Sequence, residues 1–571
     1  MDVRKAGQEE DAARSGEPCD LVIRDCLAVD PVTRSIRKTS VGIRGARIAG
    51  LGEYRGRTEI DGRGLYASAG LIDAHVHIES SLCTPARYAE LVLPCGTTQV
   101  IADPHEIANV AGTAGIRFMQ ESARRCPLKI RFMVPSCVPA APFEDSGASL
   151  GAEETEALLA SGEFLGLGEV MDVPGVLSGE AAVHRKISAA VSRGLPVDGH
   201  APGLSGKKLD AYIACGIRTD HECSSPQEAE ERVQKGMYVL LRQGSAAQDL
   251  RALLPAVRSA GSGRMCFCSD DKHPEDILRK GHINENLRIA VENGISVFDA
   301  LAMATVNAAG CYGLKDTGLL APGYFADIVL FRDLQNFEAV CVLTDGVVRA
   351  KDGRCLFVPE EDAPVPPVLR DSVRIRPVTE ADFVFPVPSG RKPLPAFGVQ
   401  DGSLFTPREC FSPDSAGFCK IAEIERHKKS GRIGKAFVRG MGIRSGALAS
   451  TVCHDSHNLA VCGTDARDML LAVRELERCG GGLTVVRDGA VLETLPLETG
   501  GLMRSCPPRE TAAGMERVLA AAKTCMDGQG VRNPFMTLSF LCLPVIPAYK
   551  LTVRGLYDVE RGLFVEDGNP F

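Results

Sequence analysis

The sequence predicts an α/β fold: a (β/α)8 TIM barrel inserted in a small split β-sandwich, followed by an α+β C-terminal domain. Three observations predict it. Eight apolar, β-rich runs alternate with helix-length stretches between residues 71 and 271. Short, Gly-bounded, alternating runs flank this array on both sides. A charged, Pro-rich segment, EEDAPVPPVLRDSVRIR, then precedes the last part of the chain. At 571 residues the chain exceeds the size at which one core stops growing, so two or three domains are expected.

In chain order, residues 1–19 read as a disordered leader, charged and without the apolar run of a secretory signal. Residues 20–68 read as the first part of the β-sandwich, through LVIRDCLAVD and SVGIRGARIAGLG. The barrel is expected over 69–314. Its eight runs are LIDAHVHI (71–78), TQVIAD (98–103), IRFMVPS (130–136), FLGLGEVM (164–171), LPVDGH (195–200), IRTDHE (217–222), MYVLLRQ (237–243) and MCFCSDD (265–271). Runs apolar throughout suit parallel strands covered on both faces. Helical stretches such as ETEALLASG and GEAAVHRKISAAVSRG separate them. Eight such units over roughly 250 residues match the size of a TIM barrel. After a further helix, FDALAMATVNAAGCYGL, strands return in YFADIVLFRD and AVCVLTDGVVRAKDG, so residues 315–362 are expected to complete the sandwich. Residues 363–376 read as a linker and 377–571 as a domain of their own, with strands in GGGLTVVRDGAVLETL and a helix in ARDMLLAVRELERCG.

Composition narrows the class. Hydrophobic residues at 44% and charged residues at 24% are those of a globular chain. A formal net charge of -8 gives no support for binding nucleic acid by phosphate neutralisation. No apolar stretch approaches the ~20 residues of a membrane span, so no membrane partner is expected. The 21 cysteines are odd in number and lack C-x-x-C spacing, which reads as reduced thiols in a cytoplasmic protein. A homo-oligomer, dimer or tetramer, is expected because most soluble assemblies are of that kind.

The chain has 11 histidines, and several end predicted strands. His75 and His77 lie two apart, so both imidazoles project to one side of the first strand. Glu169 ends run four, His200 run five, His221 run six and Asp270 run eight. The 31 residues from Glu169 to His200 are one barrel unit. Four imidazoles and two carboxylates therefore converge on the C-terminal mouth, where barrel enzymes place their active sites. Imidazole suits zinc, iron, manganese or nickel, and carboxylates suit harder ions. A bridging carboxylate holds two divalent ions about 3.5–4 Å apart. One such histidine alone is usually a core residue. A set that ends five separate strands reads as a metal cluster, with Asp270 able to take a proton from a bound water.

The residues H-x-H at strand one, carboxylate at four, His at five and six and Asp at eight resemble the amidohydrolase superfamily. GLIDAHVHIESS, DPHEIANVAGTAG, GLGEVMDVPGV, DGHAPGLSG, SDDKHPEDI and GALASTVCHDSHNLAVCGTDARDM resemble, within it, the bacterial adenine deaminases over nearly the whole chain. The resemblance implies hydrolysis of adenine to hypoxanthine and ammonia, in purine salvage, by a metal-activated hydroxide adding to C6. It implies two divalent ions, Mn(2+) or Fe(2+) by preference and Zn(2+) as a third choice, on His75, His77, Glu169, His200, His221 and Asp270. Glu169 would bridge them, Asp270 would also shuttle the proton, and His221 joins these two as catalytic.

Substrate contacts are sought among Asp103, His105 and Glu106 after strand two, and Arg242, Gln243 and Ser245 after strand seven. The HDSHN segment adds His454, Asp455 and His457, where Asp455 and His457 suit one strand face and His454 does not. Each has a plainer reading as turn capping, loop packing or solvated loop polarity. Asp271 reads as a helix cap or a support for Asp270. Gln243 stands where the family pattern has Glu, Lys428 follows His427 where a second His is common, Cys453 replaces Ala, and Ser68-Ala69 replace an apolar-Pro pair. Two other functions were weighed. A dihydroorotase- or hydantoinase-like cyclic-amide hydrolase is disfavoured by Glu169 in place of Lys. A non-catalytic scaffold is disfavoured by six filled ligand positions.

Overall fold

Eight short parallel strands form the central ring: β1 (Leu71–Val76), β2 (Thr97–Ala102), β3 (Lys129–Phe132), β4 (Leu167–Val170), β5 (Val197–Gly199), β6 (Thr219–Asp220), β7 (Tyr238–Arg242) and β8 (Met265–Cys268). The computed structural model describes residues 17–359, 361–385, 393–528 and 530–565. Strands β1–β2–β3, β4–β5 and β6–β7–β8 pair as ladders. Three seams close the ring. Val134 joins β3 to β4 by bonds to Gly166 O (2.8 Å) and from Gly168 N (2.7 Å). Arg218 N reaches Val197 O at 3.0 Å between β5 and β6, and Asp270 N reaches His75 O at 3.0 Å between β8 and β1. Six of the eight predicted runs contain one of these strands, and the runs at 98–103 and 130–136 start one residue inside theirs. The helices Ala152–Ala160 and Ala181–Val191 fall where the sequence placed them. The helix expected after β8 breaks into Val297–Met303 and Val306–Cys311.

Both flanking segments enter one nine-stranded sheet, whose seam is the antiparallel pairing of Tyr66–Ala69 with Ile328–Phe331. Ile23, Val41 and Ile43 from the first segment share an apolar core with Ile328, Leu330 and Leu343 from the second. At about 25 cal/mol per Å² of apolar area removed from water, that shared burial couples the two ends of the insertion. The expected leader lies outside the described residues up to position 16, and Cys19 already belongs to the strand Cys19–Asp30.

The C-terminal part is built on an eight-stranded sheet. Helix Ala466–Cys479 packs on one face through Met469, Val473 and Leu476. Asp465 caps its start, and Gly480, at φ 81°, ends it. Helix Pro508–Cys525 packs on the other face through Met515, Val518 and Ala522. The predicted hairpin forms as Gly482–Arg487 and Ala490–Pro496. Its turn residues Asp488 and Gly489 have φ of 55° and 76°, the left-handed pair that Asp-Gly favours.

Residues 363–376 are laid into the packing: Leu369 joins the barrel core and Ile375 the C-terminal core. The fully buried Arg426 guanidinium ties that segment down by donating to Ser372 O (3.2 Å), Gly500 O (2.9 Å) and His457 O. All 21 cysteines are free thiols. Among the described residues, no helix is long and apolar enough to cross a membrane.

Candidate active site

At the C-terminal mouth of the barrel the six expected residues meet around Glu169. Its Oε1 lies 3.2 Å from His77 Nε2. Its Oε2 lies 2.9 Å from His200 Nδ1 and 3.1 Å from His221 Nε2. Asp270 Oδ1 stands 3.1 Å from His77 Nε2 and 3.6 Å from His75 Nε2. All six side chains are buried. Burial alone would raise the Glu169 carboxyl, but the adjoining His221 and hydrogen bonds from His200 and His221 hold it well below the usual carboxylate range.

The tautomers test whether cations fit here. Nδ1–H of His77 donates to the carbonyl of Asp103 at 3.0 Å, so a neutral ring aims its Nε2 lone pair at two carboxylates. Lone pairs facing carboxylates repel unless a cation lies among them. His75 Nε2 stands 3.2 Å from the same nitrogen. The donor set thus fits divalent cations, and the groups His75–His77–Asp270 and His75–Glu169–His221 each bring their ligand atoms within 4.8 Å of one another.

Neighbouring residues fix this geometry. Asp103 follows β2, and its Oδ2 accepts from Glu169 N at 3.0 Å. Position 168 must be glycine for that approach, since a Cβ there would overlap Asp103 Oδ2. Asp103 does not line the cavity and instead holds the Glu169 backbone. Asp73 accepts from Ser269 N (3.0 Å) and His75 N (3.3 Å), which locks β1 to β8. Asp270 has φ 55°, a left-handed conformation costly for a non-glycine residue, and backbone bonds to His75 and His77 hold it there.

Of the three strand-seven residues, Arg242 alone lines the cavity. Its guanidinium is occupied by Asp270 (3.0 Å), Asp249 (3.0 Å) and Glu222. Side chains alternate at the end of β7, so Gln243 turns away from the mouth and does not line it. Ser245 does not line it either: its Oγ donates to Asp276 (2.7 Å) and accepts from His273 N (3.0 Å). Asp271 lines the cavity and accepts from Ser80 Oγ. It caps no helix, because the next one starts at Pro274 with His273 at its cap position.

Glu222 was absent from the sequence reading. It is mostly buried beside His221 Nε2 (3.4 Å) and His200 Nδ1 (3.7 Å) and lines the cavity. The signal was a carboxylate directly after a strand-end histidine. Strand alternation hid it, because β6 has only two residues and the chain has left strand geometry by Glu222.

The C-terminal part covers the mouth with Leu404, His454, Asp455, Phe540, Leu543 and Ile546. Opposite them, His105 and Glu106 open the helix His105–Ala123 and line the same cavity. Glu106 accepts from His454 Nδ1 at 2.7 Å and from His457 Nε2 through its other oxygen. His457 stands behind Glu106, outside the cavity lining. Residues 451–458 form a loop, so the expected face-sharing of Asp455 and His457 does not apply; with His457 at φ 49°, the turn sends His454 and His457 to one carboxylate.

A model described as the amidohydrolase family matches residues 66–349, and a barrel with an H-x-H, Glu, His, His, Asp mouth defines that class of hydrolase. A second model, the adenine deaminase C-terminal domain, matches residues 401–562. The adenine deaminase of Nitratidesulfovibrio vulgaris (strain DP4) is 47% identical over 568 residues, covering 98% of each chain. Adenine deaminase 2 of Carboxydothermus hydrogenoformans is 43% identical over 96% of this chain and 97% of its own. The Geobacillus kaustophilus adenine deaminase is 42% identical over 97% of each. The chain belongs to the adenine deaminase family.

Proposed function

We propose that this chain hydrolyses adenine to hypoxanthine and ammonia, a reaction of purine salvage. One observation carries the reading: Glu169 is shared by histidines on both its oxygens, beneath a cavity covered by the segment that matches the adenine deaminase C-terminal domain.

His75, His77, Glu169, His200, His221 and Asp270 would hold two divalent cations, manganese or iron by preference and zinc as a third choice, with Glu169 as the shared ligand. When bound, such ions lower the pKa of water and polarise the atom it attacks. The chain's own groups do the rest. The Asp270 carboxylate takes the proton of the attacking water and returns it to the departing amine, with His221 beside it as the third catalytic group. Arg242 keeps Asp270 ionised and aimed. Phe540, Leu543 and Ile546 offer a flat, dry wall to a purine and exclude bulk water. His105, Glu222, Asp271, His454 and Asp455 supply polar partners to its edge.

The test is ammonia release from adenine by manganese-reconstituted protein, with dihydroorotate and hydantoin as controls. Adenine turnover that disappears in Asp270→Asn supports the reading. Metal-loaded protein that leaves adenine intact and opens a cyclic amide overturns it.

A further inference from the structure

Glu106 sits where the barrel meets the C-terminal part and is reached by two imidazoles, and the backbone fixes the tautomer of one of them, His457. Cys453 N–H donates to His457 Nδ1 at 3.2 Å. That nitrogen therefore carries no proton, and Nε2–H of His457 donates to Glu106. A proton on Nε2 also argues against reading Glu106, His454 and His457 as a metal site, although their ligand atoms cluster. The second Glu106 oxygen accepts Nδ1–H of His454 at 2.7 Å. No described residue bonds His454 Nε2, and His454 lines the cavity. Phe540 stacks on the imidazole at 4.4 Å and 21°, which sets the plane of the ring.

We propose that His454, held by Glu106, determines purine specificity: its Nε2–H donates to one acceptor nitrogen of the bound purine ring. The proposal rests on the adenine reading and names one contact within it. Burial would lower the imidazole pKa, but Glu106, Asp271 and Asp455 outweigh this and raise it to about 9. The ring is then a cation at neutral pH, with both nitrogens protonated and only Nε2 free to donate. Addition of water at C6 pushes electron density onto the ring nitrogens, so this bond strengthens as the reaction proceeds. Glu106 acts through His454 and is a positioning residue.

The test uses 1-deaza-, 3-deaza- and 7-deazaadenine, each of which replaces one ring nitrogen by C–H. Their equilibrium binding to metal-loaded protein is measured by calorimetry. In the unaltered chain, one analogue should bind about 10- to 100-fold more weakly than the other two, the range for a hydrogen bond to a charged group. His454→Phe keeps a ring on Phe540 and removes the donor, so the three analogues should then bind alike, with metal content unchanged. Glu106→Gln leaves His454 neutral and should also narrow the spread, which covers the case of a poorly folding His454→Phe. A spread that survives in the variants, or equal weakening of all three analogues, overturns the proposal and leaves the dyad as a clamp between two halves of the chain. An unaltered chain that binds neither adenine nor any analogue overturns the adenine reading, and this contact with it.

Discussion

Arg242 Nη1 donates to Asp270 Oδ2 at 3.0 Å, and the same guanidinium reaches Glu222 and Asp249. A buried arginine shared among three carboxylates holds Asp270, the proton carrier of the proposed reaction, at a set angle to the histidines of the mouth. Removing it strands buried negative charge. Arg242→Met is expected to cost about 3–5 kcal/mol of stability, the usual penalty for breaking a buried pair. Its kcat should fall more than its KM rises, since Asp270 loses its aim. Urea unfolding and steady-state kinetics on one preparation check both.

Gly168 and Asp103 set the Glu169 backbone, so the site should fail from behind. Gly168→Ala places a methyl group against Asp103 Oδ2. Overpacking of this kind costs about 1–3 kcal/mol. Metal occupancy, measured by atomic emission, should drop below that of the unaltered chain, although no ligand has changed. Full occupancy in Gly168→Ala would refute this account of how Glu169 is placed.

Chelation should stop turnover and lower the thermal midpoint together. Cations that bind only the folded chain stabilise it by RT ln(1 + [L]/Kd), about 2.7 kcal/mol at a hundredfold excess over Kd. Adding manganese back should restore both quantities. A midpoint insensitive to chelator would contradict ligation by the buried mouth.

His454 predicts a pH signature in the metal-free protein. Its folded pKa is raised to about 9, above the ordinary imidazole value. The stabilisation it brings is therefore complete below about pH 6.5 and fades as pH climbs through about 9. The stability gap between the unaltered chain and His454→Phe should be widest near pH 6, on the order of 3 kcal/mol, and close by pH 10. A gap that is flat with pH would place the charge elsewhere.

Gln243 departs from the family pattern but turns away from the cavity. Gln243→Met, similar in size, should leave kcat/KM for adenine within about threefold, because surface-of-site effects without contact stay small. A larger loss, measured by ammonia release, would return the residue to the substrate.

The barrel and the convergence of six residues at its mouth were legible because they obey short-range rules. Runs apolar throughout mark β1 to β8, and the two-residue period put His75 and His77 on one side. What the sequence hid depends on pairing across distance. His454 and Glu106 are 348 positions apart, and no periodicity joins them. Arg242 read as a purine contact because its carboxylate partners come from other strands and loops. Glu222 escaped because the two-residue β6 ends before alternation can be applied. The cavity wall of Phe540, Leu543 and Ile546 comes from a helix and the loop after it that look like ordinary core.

The covering of the mouth has a consequence for how the enzyme comes into being. Phe540, Leu543 and Ile546 follow Asp270, the last of the six mouth residues, by 270 residues or more. On the ribosome the cation site is therefore translated hundreds of residues before its covering. A nascent barrel holds a reactive centre open to bulk water and to any small molecule in reach. The mouth is covered only once those later residues have been made and have folded onto it.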